Sequence, residues 1–290
     1  DMEKTVKANA KINLYLNVSG KREDGYHEIE TVMQEISLCD EVSVRITENS
    51  LGCNRITLSS NDSRVPLNEK NIAYKCAEKF LEFTKITGLD VHIHIEKRIP
   101  ISGGLAGGST DGAAVLKLLN DMTGQNLSED ELCSIGVKVG ADIPFCIVGG
   151  CCVCRGIGEK ITKLTLCKPK YHVLIAPSGL GVSTPEAYGM VDSAELTSPC
   201  TADDVVRDLA EGIVPSILYN SFEHVILPVR PAADKIKRTL ISLGADGVMM
   251  SGSGPTVFAL FYDETKLHDT QRAMSDAGLK TYACEALRSL

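Results

Sequence analysis

Ile12, Leu14, Leu16 and Val18 alternate with Asn13, Tyr15, Asn17 and Ser19, the period-two pattern of a half-buried strand, and Lys11 shares the Asn13 face. Asp24-Gly25 marks a turn, after which Val42, Val44 and Ile46 repeat the alternation. The period then changes. Ile72, Cys76 and Phe80, with Ala73, Ala77 and Leu81 beside them, predict a helix over 69–84, with Gly88 beyond its end. Val91, Ile93 and Ile95 return to alternation with His92, His94 and Glu96. The two histidines are expected to be solvated or packed on the sheet rather than to bind metal.

A second helix is predicted over 113–122, and Ser128-x-x-Glu131 reads as a capping box opening a third. Gly140-Ala141-Asp142-Ile143-Pro144 follows, which places Asp142 in a loop at or just past a helix end. Further on, strands at 171–176 and 256–262 and helices at 202–212, 233–243 and 267–277 precede a short last strand. Lys168-Pro169-Lys170 is the best linker, giving domains 1–166 and 167–290. Strands and helices mix without regular βαβ units, so the expected class is α+β.

A formal charge of -8 argues against sequence-independent binding to nucleic acid or an anionic membrane, both of which need clustered Lys and Arg. No apolar run approaches the roughly 20 residues of a membrane helix. Asp1-Met2-Glu3-Lys4 resembles neither a signal nor a transit peptide. Eleven cysteines, an odd number, fit a reducing cytoplasm better than a disulfide framework. Cys151-Cys152-Val153-Cys154 contains a CxxC but lacks a second ligand pair, and reads as small residues in a buried strand.

The chemistry concentrates in Pro100-Ile101-Ser102-Gly103-Gly104-Leu105-Ala106-Gly107-Gly108-Ser109-Thr110-Asp111-Gly112. Glycines and small hydroxyl residues ahead of a helix let backbone N–H groups approach an anion. Walker A and G-x-G-x-x-G do not match. Taken alone, the stretch suits a flexible connection as well as a phosphate cradle.

Its order after Lys97-Arg98-Ile99-Pro100 resembles the P-x-x-x-G-L-x-[GS]-S motif of the GHMP kinases, small-molecule kinases that use ATP. Ala10-Lys11-Ile12-Asn13-Leu14, Asp24-Gly25-Tyr26-His27, Gly140-Ala141-Asp142-Ile143-Pro144 and Ser251-Gly252-Ser253-Gly254-Pro255 look like further signatures, in the family's order. The resemblance implies a two-domain GHMP kinase fold: an N-terminal α+β domain of the ribosomal-protein type and a C-terminal ferredoxin-like α+β domain. The Asp-Gly-Tyr-His block points to a cytidine diphosphate polyol, 4-(cytidine 5'-diphospho)-2-C-methyl-D-erythritol, phosphorylated on its 2-hydroxyl in the non-mevalonate isoprenoid pathway. Alternatives are a mevalonate-type or homoserine acceptor, or a silent relative that senses a ligand.

Carried over on these motifs, Lys11 and Asp142 match the catalytic pair, with Asp142 as base. Pro100, Ile101, Ser102, Gly103, Gly104, Leu105, Ala106, Gly107, Gly108, Ser109 and Thr110 match the ATP loop. Ser109 or Thr110 is the expected neighbour of the Mg2+ that ATP brings. Asn71, Ile72 and Lys97 match positions that edge the adenine. Tyr26 and His27 match the cytosine-binding pair and Tyr188 the ring on the other side, with Asn13 and Thr184 as further substrate contacts. Ala106 replaces a glycine common in the family, and a methyl group there is expected to be tolerable only if the residue keeps a negative φ. A monomer or homodimer without nucleic-acid or membrane partners is the expected state.

Overall fold

The computed structural model describes residues 1–101, 103–165 and 169–289. First come β1 (Met2–Lys21), β2 (His27–Glu48), β3 (Arg55–Ser60), α1 (Ile72–Thr84), β4 (Leu89–Glu96), α2 (Gly107–Met122), α3 (Glu129–Gly136) and α4 (Ile143–Val148). A hairpin of β5 (Cys151–Gly156) and β6 (Lys160–Lys163) leads to β7 (His172–Ala176), α5 (Thr184–Asp192), α6 (Ala202–Ala210) and β8 (Tyr219–Asn220). Then follow α7 (Glu223–Ile226), α8 (Pro231–Ser242), β9 (Gly247–Met250), β10 (Val257–Phe261), α9 (Glu264–Asp276) and β11 (Tyr282–Glu285).

These elements form two compact units interleaved along the chain. One comprises Asp1–Ala10, Cys39–Ile99 and Ala106–Val148, the other Lys11–Leu38, Pro100–Leu105 and Gly149–Leu290. The expected domain junction falls at 166–168, which lie outside the described residues.

In the first unit β4 pairs antiparallel with the 41–48 end of β2 and parallel with β3. Ala73, Cys76 and Phe80 of α1, Val115, Leu116 and Leu119 of α2, and Val91, Ile93 and Ile95 of β4 are buried. Full burial of a side chain such as Phe80 contributes about 1.5–3 kcal/mol. The first helix begins at Ile72, later than the periodicity suggested, because Asn71 is its N-cap and its side chain accepts from Ala73 N at 2.8 Å. The Ser128–Glu131 capping box opens α3 as read. The helix α4, which the periodicity did not reveal, begins at Ile143; Pro144 is tolerated there because a first-turn N–H has no intrahelical acceptor anyway. His92 meets Thr57 and Ser59 at 2.8 and 3.0 Å, and His94 meets Ser59 and Glu96 at 2.8 and 3.1 Å, on the sheet as expected.

In the second unit β1 corrects the half-buried expectation, since Lys11 to Leu16 are buried on both faces. Its polar side chains tolerate this because they have partners; the Tyr15 hydroxyl, for example, bonds Ser198 Oγ at 2.8 Å and the Cys200 carbonyl at 3.0 Å. The 29–34 end of β2 pairs antiparallel with β5, so the cysteine cluster is buried strand. A separate sheet has the order β11-β7-β10-β9, antiparallel throughout. Ile236 and Leu240 of α8 and Leu267 and Met274 of α9 cover it, packing with Leu174, Val257 and Phe261. The α+β class holds. Among the described residues no helix is long and apolar enough to cross a membrane.

Candidate active site

The glycine-rich stretch is less a free loop than its composition suggested, for α2 already begins at Gly107. Its first half belongs to the second unit. A Cβ on Gly103 would lie 2.1 Å from the Gly254 carbonyl oxygen, and one on Gly104 2.1 Å from that of Ser251. Thr256 N donates to the Gly103 carbonyl at 3.4 Å and Ser251 Oγ to the Gly104 carbonyl at 2.8 Å. These glycines are therefore required by the close approach of the 251–255 turn. Lys11 N donates to the Leu105 carbonyl at 3.2 Å, tying the stretch to β1. Ser102 lies outside the described residues.

In the first unit, Ala106 is the N-cap of α2 with φ 57 and ψ 35. The expectation of a negative φ is overturned: the chain needs a left-handed residue to enter the helix, and alanine takes that conformation at a cost of about 1–2 kcal/mol. Thr110 N donates to the Ala106 carbonyl at 2.9 Å, so the N–H groups of Gly107, Gly108 and Ser109 precede the helical ladder. With the positive end of a 16-residue helix behind them, they form a set of donors suited to phosphate. A Cβ on Gly108 would sit 3.1 Å from Ile72 Cδ1, which brings α1 and the expected adenine neighbour Ile72 against this turn.

Lys97 is not a solvated charge. Its ammonium lies 2.6 Å from Asp40 Oδ2 and 3.1 Å from Asp111 Oδ2, and a Cβ on Gly107 would be 3.1 Å from it. Asp40 Oδ1 also accepts from Arg98 N and Ile99 N at 2.7 and 2.8 Å, fixing the exit of β4. Burial pushes the Asp111 carboxyl well above the usual carboxylate range, against the pull of Lys97. Burial opposes charge on Lys97 too, but Asp111 and Asp40 outweigh it and hold the ammonium above its ordinary value. One cation cannot neutralise two buried carboxylates, so the cluster keeps a proton. Asp111 holds it, since Asp40 has three donors whereas Asp111 Oδ1 has no partner among the described residues.

Asp142 occupies the turn before α4, and its carbonyl accepts from Cys146 N at 3.1 Å. A Cβ on neighbouring Gly140 would come 4.0 Å from Ser109 Oγ, so this turn and the start of α2 are close.

In the second unit the Lys11 ammonium, 3% exposed, donates to Asn13 Oδ1 at 2.6 Å. The same oxygen accepts from Gly252 N at 2.9 Å, while Asn13 Nδ2 donates to Thr31 Oγ1 at 2.9 Å. Lys11 and Asn13, which strand alternation places on one face, are thus bonded to each other. The part of the 251–255 turn in holding them, and the anchoring by Asp40, had no residue-level signal beyond the quoted Ser-Gly-Ser-Gly-Pro string.

Tyr26 closes the β1–β2 turn, its carbonyl accepting from Arg22 N at 2.6 Å, and is 59% exposed. His27 is buried, with Nε2 2.8 Å from Asp192 Oδ1 and its ring stacked on Tyr188 at 4.2 Å and 18°. The structure therefore joins His27 and Tyr188 directly. Thr184 is the first residue of α5, capped by Ser183.

Comparison with known proteins defines the class. The model for the GHMP kinases N terminal domain matches residues 71–150, and that for the GHMP kinases C terminal matches 208–280, so the chain is a GHMP kinase. A 4-diphosphocytidyl-2-C-methyl-D-erythritol kinase of Clostridium acetobutylicum is 45% identical over 264 residues, covering 90% of this chain and 91% of the relative. One from Clostridium tetani is 41% identical over 285 residues, covering 97% and 99%. A crystal structure of 4-(cytidine 5'-diphospho)-2C-methyl-D-erythritol kinase, 31% identical, superposes with a TM-score of 0.81 over 99% of both chains. The chain belongs to the family of 4-diphosphocytidyl-2-C-methyl-D-erythritol kinases. A mevalonate kinase of L. major, 15% identical with a TM-score of 0.73, shares the fold.

Proposed function

We propose that this chain transfers the γ-phosphoryl group of ATP to the 2-hydroxyl of 4-(cytidine 5'-diphospho)-2-C-methyl-D-erythritol. The observation that carries the reading is the buried Lys11 ammonium, bonded to the uncharged amide oxygen of Asn13, which leaves its positive charge for a reacting phosphate.

The first-turn N–H groups of Gly107, Gly108 and Ser109 hold the ATP phosphates, and Asn71, Ile72 and Lys97 edge the adenine. Pro100, Ile101, Ser102, Gly103, Gly104, Leu105, Ala106 and Thr110 complete the ATP loop. Asp142 accepts the proton of the 2-hydroxyl, whose oxygen bonds to the γ-phosphorus as the bond to the β-phosphate oxygen breaks and ADP leaves. Lys11 offsets the charge on the transferring group. The hydroxyl of Ser109 or of Thr110 is a hard oxygen donor that would suit the Mg2+ carried by ATP, which when bound would neutralise phosphate charge. Tyr26, His27 and Tyr188 hold the cytosine, with Asn13 and Thr184 on the polyol diphosphate. The cysteines among the described residues are not joined in disulfides, which supports a reducing cytoplasm as the setting, and the working form is a monomer or homodimer.

The test offers the purified protein ATP and Mg2+ with the cytidyl substrate, mevalonate and homoserine in parallel. Turnover of the cytidyl substrate is the expected result; preferential turnover of another acceptor, or of none, overturns the assignment.

A further inference from the structure

Outside the motifs read from the sequence, the segment Asn220-Ser221-Phe222-Glu223 holds β1 through Ser221 and the end of β9 with the following turn through Asn220 and Glu223. Asn220 is 1% exposed, and its Nδ2 donates to the Met250 and Gly252 carbonyls, both at 2.8 Å. Its Oδ1 accepts from Phe222 N at 2.9 Å. Ser221 N donates to the Leu16 carbonyl at 2.9 Å, and Ser221 Oγ accepts from Val18 N at 3.0 Å. Glu223 Oε2 accepts from Met250 N at 2.9 Å while its other oxygen pairs with Lys237 of α8. Met250 is thus gripped at its N–H by Glu223 and at its carbonyl by Asn220, and Gly252 is held by Asn220 from one side and by Asn13 from the other.

The chain of contacts ends on Lys11. Gly252 N reaches Asn13 Oδ1 at 2.9 Å, the same atom that receives the Lys11 ammonium at 2.6 Å. A Cβ on Gly252 would lie 3.5 Å from Lys11 Nζ, so the turn also bounds the space that the ammonium occupies. The geometry points to Asn220 and Glu223 as positioning residues that fix Gly252, and through it the Asn13 amide and the Lys11 ammonium. Their side chains are committed to protein partners, so they are assigned no contact with substrate. A buried amide with all three of its hydrogen bonds committed is directional, and reversing its donors is costly. The inference rests on the proposed role of Lys11 in phosphoryl transfer, but the placement of Lys11 is separately measurable.

The test compares wild type with Asn220→Asp, which turns two donors into acceptors facing carbonyl oxygens, and with Leu240→Ala, a core truncation under the separate antiparallel sheet. Kinetics are run well below every melting temperature, and Lys11 reactivity is mapped by mass spectrometry after labelling with an amine reagent. Asn220→Asp is expected to lower kcat by at least about tenfold with both KM values within roughly threefold, and to raise Lys11 labelling severalfold. Leu240→Ala is expected to lower the melting temperature without either effect. If Asn220→Asp does not fold, the Glu223 pair decides: Glu223→Gln keeps an acceptor for Met250 N and retains kcat and Lys11 protection, whereas Glu223→Ala loses both. Unchanged kcat and labelling in Asn220→Asp, equal changes in Leu240→Ala, or equal effects of the two Glu223 variants overturn the inference. A wild type that phosphorylates none of the acceptors removes the proposed function instead, and the labelling still decides whether this segment positions Lys11.

Discussion

A Cβ placed on Gly104 would lie 2.1 Å from the Ser251 carbonyl oxygen, so the two glycine-rich turns of the second unit meet backbone against backbone. Gly104 also has φ +108, a conformation that side chains resist. Gly104→Ala is therefore expected to cost about 3 kcal/mol or more in stability, from steric overlap and strain together. Urea denaturation measures it, and a loss below about 1 kcal/mol means that the turns separate easily.

The opposite result is expected two residues on. Ala106 has φ 57, where glycine is at ease and alanine is strained. Ala106→Gly relieves that strain but adds unfolded-chain entropy, for a net gain of about 0.5–1 kcal/mol. A lower melting temperature in the variant would show that the methyl group contributes packing larger than the strain it causes.

The contrast between these positions shows what the sequence could tell. Composition and order located the stretch, because glycines before a helix are a chemical pattern. They did not say which glycine serves a ligand and which a neighbouring turn, since Gly103 and Gly104 are explained by Ser251 and Gly254, far away in the chain. Periodicity read β4 and α9 well because each buries one face, but it found only the 113–122 part of α2, which begins at Gly107 and is buried without a break from Thr110 to Leu116. It misread β1, whose second face is also buried, through hydrogen bonds to partners remote in sequence such as Ser198 and Ser251. Short elements such as α4 and β8 carry too few residues for a period to appear. Asp40 and Asn220 have no local signature, because what distinguishes them is the backbone they bind.

The buried Asp111 carboxyl gives a pH dependence of stability. Unfolded, it titrates in the ordinary carboxylate range; folded, burial raises it well above that. In the interval between the two values the native state holds a proton that the unfolded chain has released, so this group's contribution falls as pH rises. Asp111→Asn removes the titration. Its stability relative to wild type is expected to improve as pH rises above the ordinary carboxylate range, from about pH 4 upward, measured by urea melts across a pH series. Parallel pH profiles would place the retained proton elsewhere.

Asp142 sits in a turn whose backbone is anchored by its own carbonyl, so truncating its side chain spares that anchor. Asp142→Ala is expected to lower kcat by about 10²–10⁴, the usual contribution of a positioned base, while ATP binding by calorimetry stays near wild type. Turnover close to wild type removes Asp142 from the proton transfer.

Two tyrosines proposed for the cytosine stand in different surroundings, and their variants should separate. Tyr26 is 59% exposed on a turn, so Tyr26→Ala is expected to leave the melting temperature unchanged. It should raise the KM for the cytidyl substrate by about 5–150-fold, matching ~1–3 kcal/mol of base stacking, without moving that for ATP. Tyr188 already lies on the His27 ring at 4.2 Å and meets Phe222 edge-on at 5.1 Å. Tyr188→Ala therefore removes protein packing as well, and should lower stability by about 1–3 kcal/mol while raising the same KM. Tyr188→Phe keeps the ring, and recovery of both properties would assign the effect to stacking. An equal rise in the KM for ATP and for the cytidyl substrate in Tyr26→Ala would take that ring away from the cytosine.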